Sequence, residues 1–197
     1  MISGLYTAAS GMALHQAKLD VLANNLANAN TPGFQADVLT VEVSAPAAGS
    51  LSAGAAGGTV RAGRTVTDAR SGVVRATGNP LDLALAGPGL FVVETPSGER
   101  YTRAGNFTRD AQGFLATPDG FRVLGTAGPI RIPDGGLRVS EEGALPDGTR
   151  LRVVAGSDAA RLRKAGANLF AAEAGAAPPE ELAAARILAG HLETSNV

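Results

Sequence analysis

The 197-residue sequence contains no cysteine and no tryptophan, only two histidines, and aromatic residues at 4% of its positions. Without cysteine, the chain has neither a disulfide framework nor a thiolate metal site. It lacks a run of about 20 apolar residues, the length that a membrane-spanning helix needs, so we expect no membrane insertion. Its net charge of −1 provides no basic surface of the kind that binds nucleic acid.

Sequence motifs of enzyme active sites are also missing. We find no GxSxG elbow, no Walker A loop and no HExxH pair. Ser10, His15 and Asp20 have the residue types of a catalytic triad. However, steps of five residues turn by about 140° on a helix, so the three side chains diverge. We therefore expect no enzyme, no cofactor, no metal and no small-molecule substrate.

A helical pattern covers residues 3–29. Apolar residues recur there at alternating steps of three and four, and a leucine or methionine returns every seven residues. This is the period of a helix seam that packs on another helix. The next hundred residues offer no helix of similar length, so the seam requires a partner late in the chain or on another molecule. The predicted packing residues are Leu5, Met12, Leu19, Leu22 and Leu26.

The helical pattern ends in an asparagine-rich stop. A proline cannot extend the helix and disfavours helix in the residue before it, so we expect the chain to turn at Pro32-Gly33 and to be anchored there by Phe34. The residues of this stop that we select as candidate site residues are Asn24, Asn25, Asn28, Asn30, Thr31, Pro32, Gly33 and Phe34.

The asparagines of this stop allow two interpretations. In the first, Asn24, Asn25 and Asn28 form hydrogen bonds across helix contacts and set the register of packing. In the second, they are solvated residues at a helix end, with Asn30 as a left-handed cap. Composition alone favours neither.

The middle of the chain has a β pattern. Short segments of alternating or continuous apolar residues, such as 81–86, 90–95 and 136–140, predict strands. Between them recurs a proline-X-glycine turn signal, in which proline presets φ and glycine accepts a positive φ. We therefore expect antiparallel hairpins. The four turns are at 96–98, 118–120, 133–135 and 146–148.

The predicted fold class is mainly β with terminal helices, with a helix starting after Pro178-Pro179 near the C-terminus. Composition divides the chain into four consecutive segments. They are an N-terminal helix with its stop motif (1–34), an extended Gly/Ala-rich arm (35–66), a hairpin-rich antiparallel β domain (67–167), and a C-terminal segment that leads into a truncated helix (168–197).

Several stretches resemble the bacterial flagellar axial proteins, the rod and hook components of the basal body. "LYTAASGM" and "LDVLANNLANANTPGFQAD" are similar to the N-terminal signature of that family. "GNPLDLALAGPGLFVV" and "RYTRAGNFTRDAQGFLATPDGFRVLG" resemble its hook/rod D1-type β domain, and "LETSNV" resembles the junction before its C-terminal helix. The short β domain and the "MISGLYTAASGM" start look most like the proximal rod type, and the distal rod type is close to it.

The resemblance implies a structural, self-assembling subunit of the flagellar rod, the hollow shaft that transmits motor torque. Its partners would be further copies, other rod and hook proteins and the flagellar export apparatus. Its location would be the basal-body rod that spans the periplasm, reached without a cleaved signal peptide. Family members continue past Val197 with a long helix, so we expect the partner of the seam to be largely missing and the isolated chain to polymerise poorly. We expect residues 1–30 to be either frayed or packed adventitiously.

A different class of function is also compatible with the sequence. A β domain of this size could bind a peptide or glycan as a monomer, with the N-terminal helix as a tether. Filament formation or binding to rod proteins would favour the first interpretation, whereas a soluble monomer with a saturable small ligand would favour the second.

Overall fold

The computed structural model describes residues 2–44, 59–156, 162–173, 175, 178–182 and 185–197. The chain forms two compact units, the first of Met1–Ala27 and Asp37–Asp68, the second of Asn28–Ala36 and Ala69–Val197. The four consecutive segments drawn from composition stay a prediction about domain organisation, and the contacts within the chain group its residues differently.

The first unit consists of a long helix and a two-stranded ribbon. Helix α1 (Ile2–Ala27) confirms the predicted N-terminal helix and ends two residues before the predicted end. Strands β1 (Asp37–Ser44) and β2 (Thr59–Thr67) pair antiparallel, with a bulge between Leu39 and Val41. From Asp37 onward, the described parts of the predicted arm are therefore paired strands, and its most Gly/Ala-rich part, 45–58, lies outside the described residues.

The helix presents two different faces. Leu14, Ala17 and Val21 are half-buried on the same side as buried Asn25, and β1 and β2 are elements of this unit that contact the helix. At about 100° per residue, the predicted seam lies roughly 140° around the axis from this side. The side chain of Leu5 lies outside the described residues. The other four seam residues are exposed, with between 52 and 75% of their surface accessible: Met12, Leu19, Leu22 and Leu26.

The second unit is built from short antiparallel strands, which confirms the predicted β class. The strands are β3 (Val74–Ala76), β4 (Leu83–Ala86), β5 (Leu90–Thr95), β6 (Gly98–Thr102), β7 (Thr108–Arg109), β8 (Leu115–Ala116), β9 (Arg122–Gly125), β10 (Gly128–Pro129), β11 (Val153–Val154), β12 (Leu162–Gly166), β13 (Leu169–Ala172), β14 (Arg186–Ala189) and β15 (His191–Glu193).

The main sheet of this unit runs in the order β12-β13-β6-β5-β9-β8-β7, with β10 beside β9 and β11 beside β5. Strand β5 is apolar on both faces because each face covers a separate core. Phe91 and Val93 belong to the larger core, where the Phe91 and Phe107 rings meet edge to face at 5.2 Å, and Leu90 and Val92 belong to the smaller one. Two further pairs, β14-β4 and β15-β3, complete the unit.

The proline-X-glycine signals form turns, as predicted. Gly98, Gly120 and Gly148 take the positive φ for which glycine is suited. In the turn predicted at 133–135, the residue with positive φ is Gly136, one position after the predicted glycine, and its N–H donates to the carbonyl of Pro133 at 3.0 Å. The prediction of a strand at 136–140 is wrong, because Leu137 is buried in the core without strand pairing.

The predicted C-terminal helix start is also wrong. The Ala- and Leu-rich segment after Pro179 forms β14 and β15 within its described residues, and they pair with β4 and β3. Ile187 is buried in the larger core, and Gly190 makes the tight turn with φ 72° between the two strands. Helix propensity is a weak preference. Here the pairing of this segment with β4 and β3 outweighs it.

One aspartate organises the turn after β7. Asp110 Oδ1 accepts hydrogen bonds from the N–H groups of Gln112 and Phe114 at 2.9 and 2.7 Å, and Oδ2 accepts from Arg122 Nε at 2.9 Å. The guanidinium of Arg122 also lies 4.4 Å from the centre of the Phe114 ring. Partial burial acts to raise the pKa of Asp110, but these backbone and arginine hydrogen bonds outweigh it and hold the pKa below its ordinary value.

We predict that the stability of the second unit in acid depends on Asp110. A carboxyl group with a lowered folded-state pKa contributes stability above its unfolded pKa, and this contribution is lost as the pH falls through the folded value. Asp110→Asn should therefore lower the thermal midpoint at pH 7, and its difference from the wild type should shrink below a pH of about 4. Asp134→Asn, at a fully exposed carboxylate, is the control. Equal midpoints for wild type and Asp110→Asn at pH 7 would contradict this role.

Candidate functional site

The asparagine-rich stop forms a compact turn after the helix. Asn28 accepts two hydrogen bonds from Thr31. The N–H of Thr31 donates to the backbone carbonyl of Asn28 at 3.0 Å, and the hydroxyl of Thr31 donates to Oδ1 of Asn28 at 3.2 Å. The N–H of Phe34 then donates to the carbonyl of Thr31 at 3.2 Å. The residue of this turn with a left-handed φ, 63°, is Gly33, at a different position from the Asn30 cap considered from the sequence.

Gly33 lies directly against the backbone that follows β6. A Cβ atom at this position would lie 2.5 Å from the carbonyl of Arg103 and from the N–H nitrogen of Ala104. Its own N–H donates to the carbonyl of Glu193 at 2.8 Å. Only glycine satisfies both the positive φ and the lack of space.

The residues on either side of Gly33 are fixed by polar side chains of the β12–β13 hairpin. Asn168 donates from Nδ2 to the carbonyl of Pro32 at 2.9 Å. Lys164 donates from Nζ to the carbonyl of Gln35 at 2.6 Å, and the same ammonium lies 4.3 Å from the centre of the buried Phe34 ring. Phe34 is thus buried against a cation, a favourable contact with the face of an aromatic ring.

The C-terminal segment binds the same turn. Asn196 accepts at Oδ1 from the N–H of Ala36 at 2.6 Å and donates from its backbone N–H to the carbonyl of Phe34 at 3.2 Å. Its Nδ2 donates to the carbonyl of Arg70 at 2.7 Å. One asparagine side chain therefore joins the segment that follows the helix to the segment that precedes β3.

A buried ion pair lies beneath these contacts. The side chains of Arg103 and Glu193 are only 2 and 4% exposed, and Glu193 Oε2 lies 2.6 Å from both Nε and Nη2 of the arginine. The remaining donors of Arg103 reach the carbonyls of Gly89 and Leu85 and the hydroxyl of Ser71 at 2.6 to 3.2 Å. Because a buried charge without partners is costly, each partner fixes the position of the other.

The second oxygen of Glu193 is used as well. Its Oε1 accepts from the N–H of Gly72 at 2.7 Å, and a Cβ at Gly72 would collide with the carbonyl of Thr194. Thr194 in turn donates its N–H to the carbonyl of Val73 at 2.9 Å. We call the set 31–36, 70–76, Arg103 and 191–196 the junction.

Asn25 has a separate role within the first unit. It is buried, and its side chain forms a two-point pair with the backbone of Asp37, accepting from the N–H at 2.9 Å and donating to the carbonyl at 2.8 Å. The last turn of the helix is thereby joined to the first residue of β1. Asn24 and Asn30 are exposed. The three asparagines proposed to set register thus lie in three different environments.

Several residues of the junction escaped the sequence analysis. Arg103, Glu193 and Asn196 lie in stretches that resemble the axial family, but a single sequence carries no signal that pairs two residues separated by 90 positions. The contact becomes visible only when β15 is known to lie beside β3.

Comparison with known proteins shows the family of the chain. A family model described as flagella basal body rod protein matches residues 5–35, and one described as flagellar hook protein FlgE/F/G D1 domain matches residues 84–146. The chain is 35% identical to the flagellar basal-body rod protein FlgG of Bacillus subtilis (strain 168) over 226 aligned positions, which cover all of this chain and 86% of that protein. The chain belongs to the flagellar basal-body rod protein family.

Other relatives extend the comparison of this rod-family chain. It is 34% identical over 205 positions to the flagellar basal-body rod protein FlgF of Caulobacter vibrioides, covering all of this chain and 83% of that protein. It is also 34% identical over 140 positions to the flagellar hook protein FlgE of Brucella abortus biovar 1, covering 68% of this chain and 33% of that protein.

The described residues contain no group of three or more His, Cys, Asp or Glu side chains placed to hold a metal ion. Within the same part of the chain, no helix combines the length and the hydrophobicity needed to cross a membrane. The polar contacts of the junction described above fix backbone segments in place.

We predict that Asn25→Ala destabilises the first unit. It removes a buried side chain that satisfies both backbone groups of Asp37, and leaving such groups unsatisfied costs about 1–3 kcal/mol. Thermal unfolding followed by circular dichroism at 222 nm should show the loss in the helical signal. Asn30→Ala, at an exposed position, is the matched control, and equal effects of the two substitutions would contradict the role of Asn25.

We predict that Gly33→Ala disrupts the junction. The substitution adds the strain of a left-handed alanine, of order 1–3 kcal/mol, and a collision with the backbone of Arg103 and Ala104. Gly78→Ala is the control, because Gly78 has a similar φ of 76° but open space around its Cβ position. Chemical denaturation should show a clearly larger loss for Gly33→Ala. Equal losses would mean that backbone strain alone explains the requirement for glycine.

Proposed function

We propose that this rod-family chain is a self-assembling subunit of the bacterial flagellar basal-body rod and contributes to the hollow shaft that transmits torque. The observation that carries the proposal is the seam of α1. Its described members are large apolar side chains, repeated at seven-residue intervals, and they are exposed in the chain by itself. A stripe with this spacing is suited to packing on another helix.

The other face of the helix strengthens this argument. Leu14, Ala17 and Val21 are half-buried within the first unit. The side chain of Asn25 forms two hydrogen bonds with the backbone of Asp37 in the same unit. Within the described part of the unit, the half-buried and buried positions lie on one side of the helix and the exposed seam residues lie on another, which supports a different partner for the seam. An isolated amphipathic helix gains most of its stability from such packing.

The junction supports a mechanical role. The segment that follows the helix and the C-terminal segment are both bound to the β unit within one small region, through Gly33, Glu193 and Asn196. A subunit that transmits force requires its chain segments to be fixed relative to its bulk. Buried ion pairs and backbone hydrogen bonds provide this rigidity with defined geometry.

Further parts of the proposal follow from the family. We infer that the partners are copies of this chain together with other rod and hook proteins, that the flagellar export apparatus delivers the chain, and that it reaches the rod without a cleaved signal peptide. FlgG and FlgF rod proteins and a FlgE hook protein are all among its relatives, which supports partners of the axial class.

We predict that Leu19→Glu combined with Leu26→Glu abolishes incorporation into the rod. Burying each leucine against a partner helix is worth about 1.5–3 kcal/mol, so charged residues should reduce incorporation by more than about tenfold. Cells that carry the variant as their only copy should lose motility, and basal bodies purified from them should lack the chain.

The control for this experiment is Ala13→Glu, which adds a charge at an exposed position on the same helix but away from the seam. It should be incorporated normally. Unchanged incorporation and motility of the double variant would contradict the proposal. A monomeric protein that never enters basal bodies and binds a peptide or glycan would instead support the binding-module alternative.

A further inference from the structure

We propose that the junction opens as one cooperative unit, with the Arg103–Glu193 ion pair as its latch, while the core of the β unit stays folded. Opening would release the segment that follows the helix and the C-terminal segment together. The proposal concerns the chain by itself and does not depend on its assembly into a rod.

The first argument is the distribution of apolar contacts. Among the described residues, the two apolar cores of the β unit take no member from 28–36, from 70–76 or from the segment after Ile187. Phe34 and Ala36 are buried apolar residues of the junction that lie outside both cores, and the junction segments are otherwise attached by hydrogen bonds and by the ion pair. Regions with few buried apolar contacts are those that open at a free energy below that of global unfolding.

The second argument is that the segments bind one another. Gly33 donates to Glu193, Ala36 donates to Asn196, and Thr194 donates to Val73. Each segment therefore depends on the presence of the others, and none can leave without breaking contacts of its neighbours. Mutual dependence of this kind produces a cooperative opening unit.

The third argument is the position of the ion pair. Among the junction residues, Arg103 is the anchor on the side that stays folded. It follows β6 and donates to the carbonyls of Gly89, next to β5, and Leu85, in β4. Glu193 lies on β15 and holds Gly72 through its second oxygen. The pair is thus a direct bond between the bulk and the junction segments, and removing one buried partner is strongly destabilising.

Native-state amide hydrogen exchange of the full chain, measured by NMR, tests the proposal. In the wild-type protein, the amides of Gly33, Ala36, Gly72 and Thr194 should share one opening free energy and one dependence on denaturant. The core amides of Leu115 and Ile130, which donate to backbone carbonyls within the main sheet, should be protected more strongly. Four different opening free energies in the wild type would overturn the proposal without any variant.

The variant Glu193→Gln sharpens the test, because glutamine retains an acceptor for the N–H of Gly72 but leaves the Arg103 charge unpaired. All four junction amides should exchange at least about tenfold faster, by the same factor, with the two core amides unchanged. Glu141→Gln is the matched control, since it removes an exposed ion pair with Arg186 of β14, and it should leave all six rates unchanged. Acceleration confined to Gly72, or equal acceleration of the core amides, would overturn the proposal.

Discussion

The buried contact between Arg103 and Glu193 determines how the ends of the β unit are arranged. Neither charge can be left alone in a dry environment, so β15 must lie where its glutamate meets the arginine. That placement aligns β15 with β3, brings the carbonyl of Glu193 to Gly33, and positions Asn196 to bind Ala36. The pairing of these two buried charges therefore helps to position both the turn after the helix and the C-terminal segment. The two apolar cores form the rest of the folded unit to which these segments are attached.

The asparagine-rich stop illustrates how one short motif serves several purposes. Asn25 satisfies both backbone groups of Asp37, and Asn28 accepts two hydrogen bonds from Thr31. A residue whose amide competes with helical hydrogen bonding is unfavourable inside a helix but useful where the helix must end. The motif therefore ends the helix and joins it to the strand that follows. Among the described residues, the seam side chains Met12, Leu19, Leu22 and Leu26 are exposed.

Sequence reasoning succeeded where the signal was local. The helix followed from the spacing of residues such as Met12 and Leu19, the turns from proline and glycine, and β5 from its continuous apolar run. It failed where distant residues decide the outcome. Ile187 lies in a strand rather than a helix because its segment pairs with β4. Arg103 and Glu193 are far apart in the sequence, and no local pattern predicts that they are in contact. The described seam residues are exposed apolar side chains, and both their role as a packing surface and what they contact in the rod stay predictions.

The central claim is that the exposed seam of α1 is a contact surface in the assembled rod. The absence of native cysteine allows a direct measurement, thiol labelling of Leu26→Cys and of Ala13→Cys in the free chain and in purified basal bodies. The account predicts that both thiols react in the free chain and that only the thiol at position 26 becomes protected in the basal body. Equal reactivity of that thiol in the free and assembled states would contradict the account.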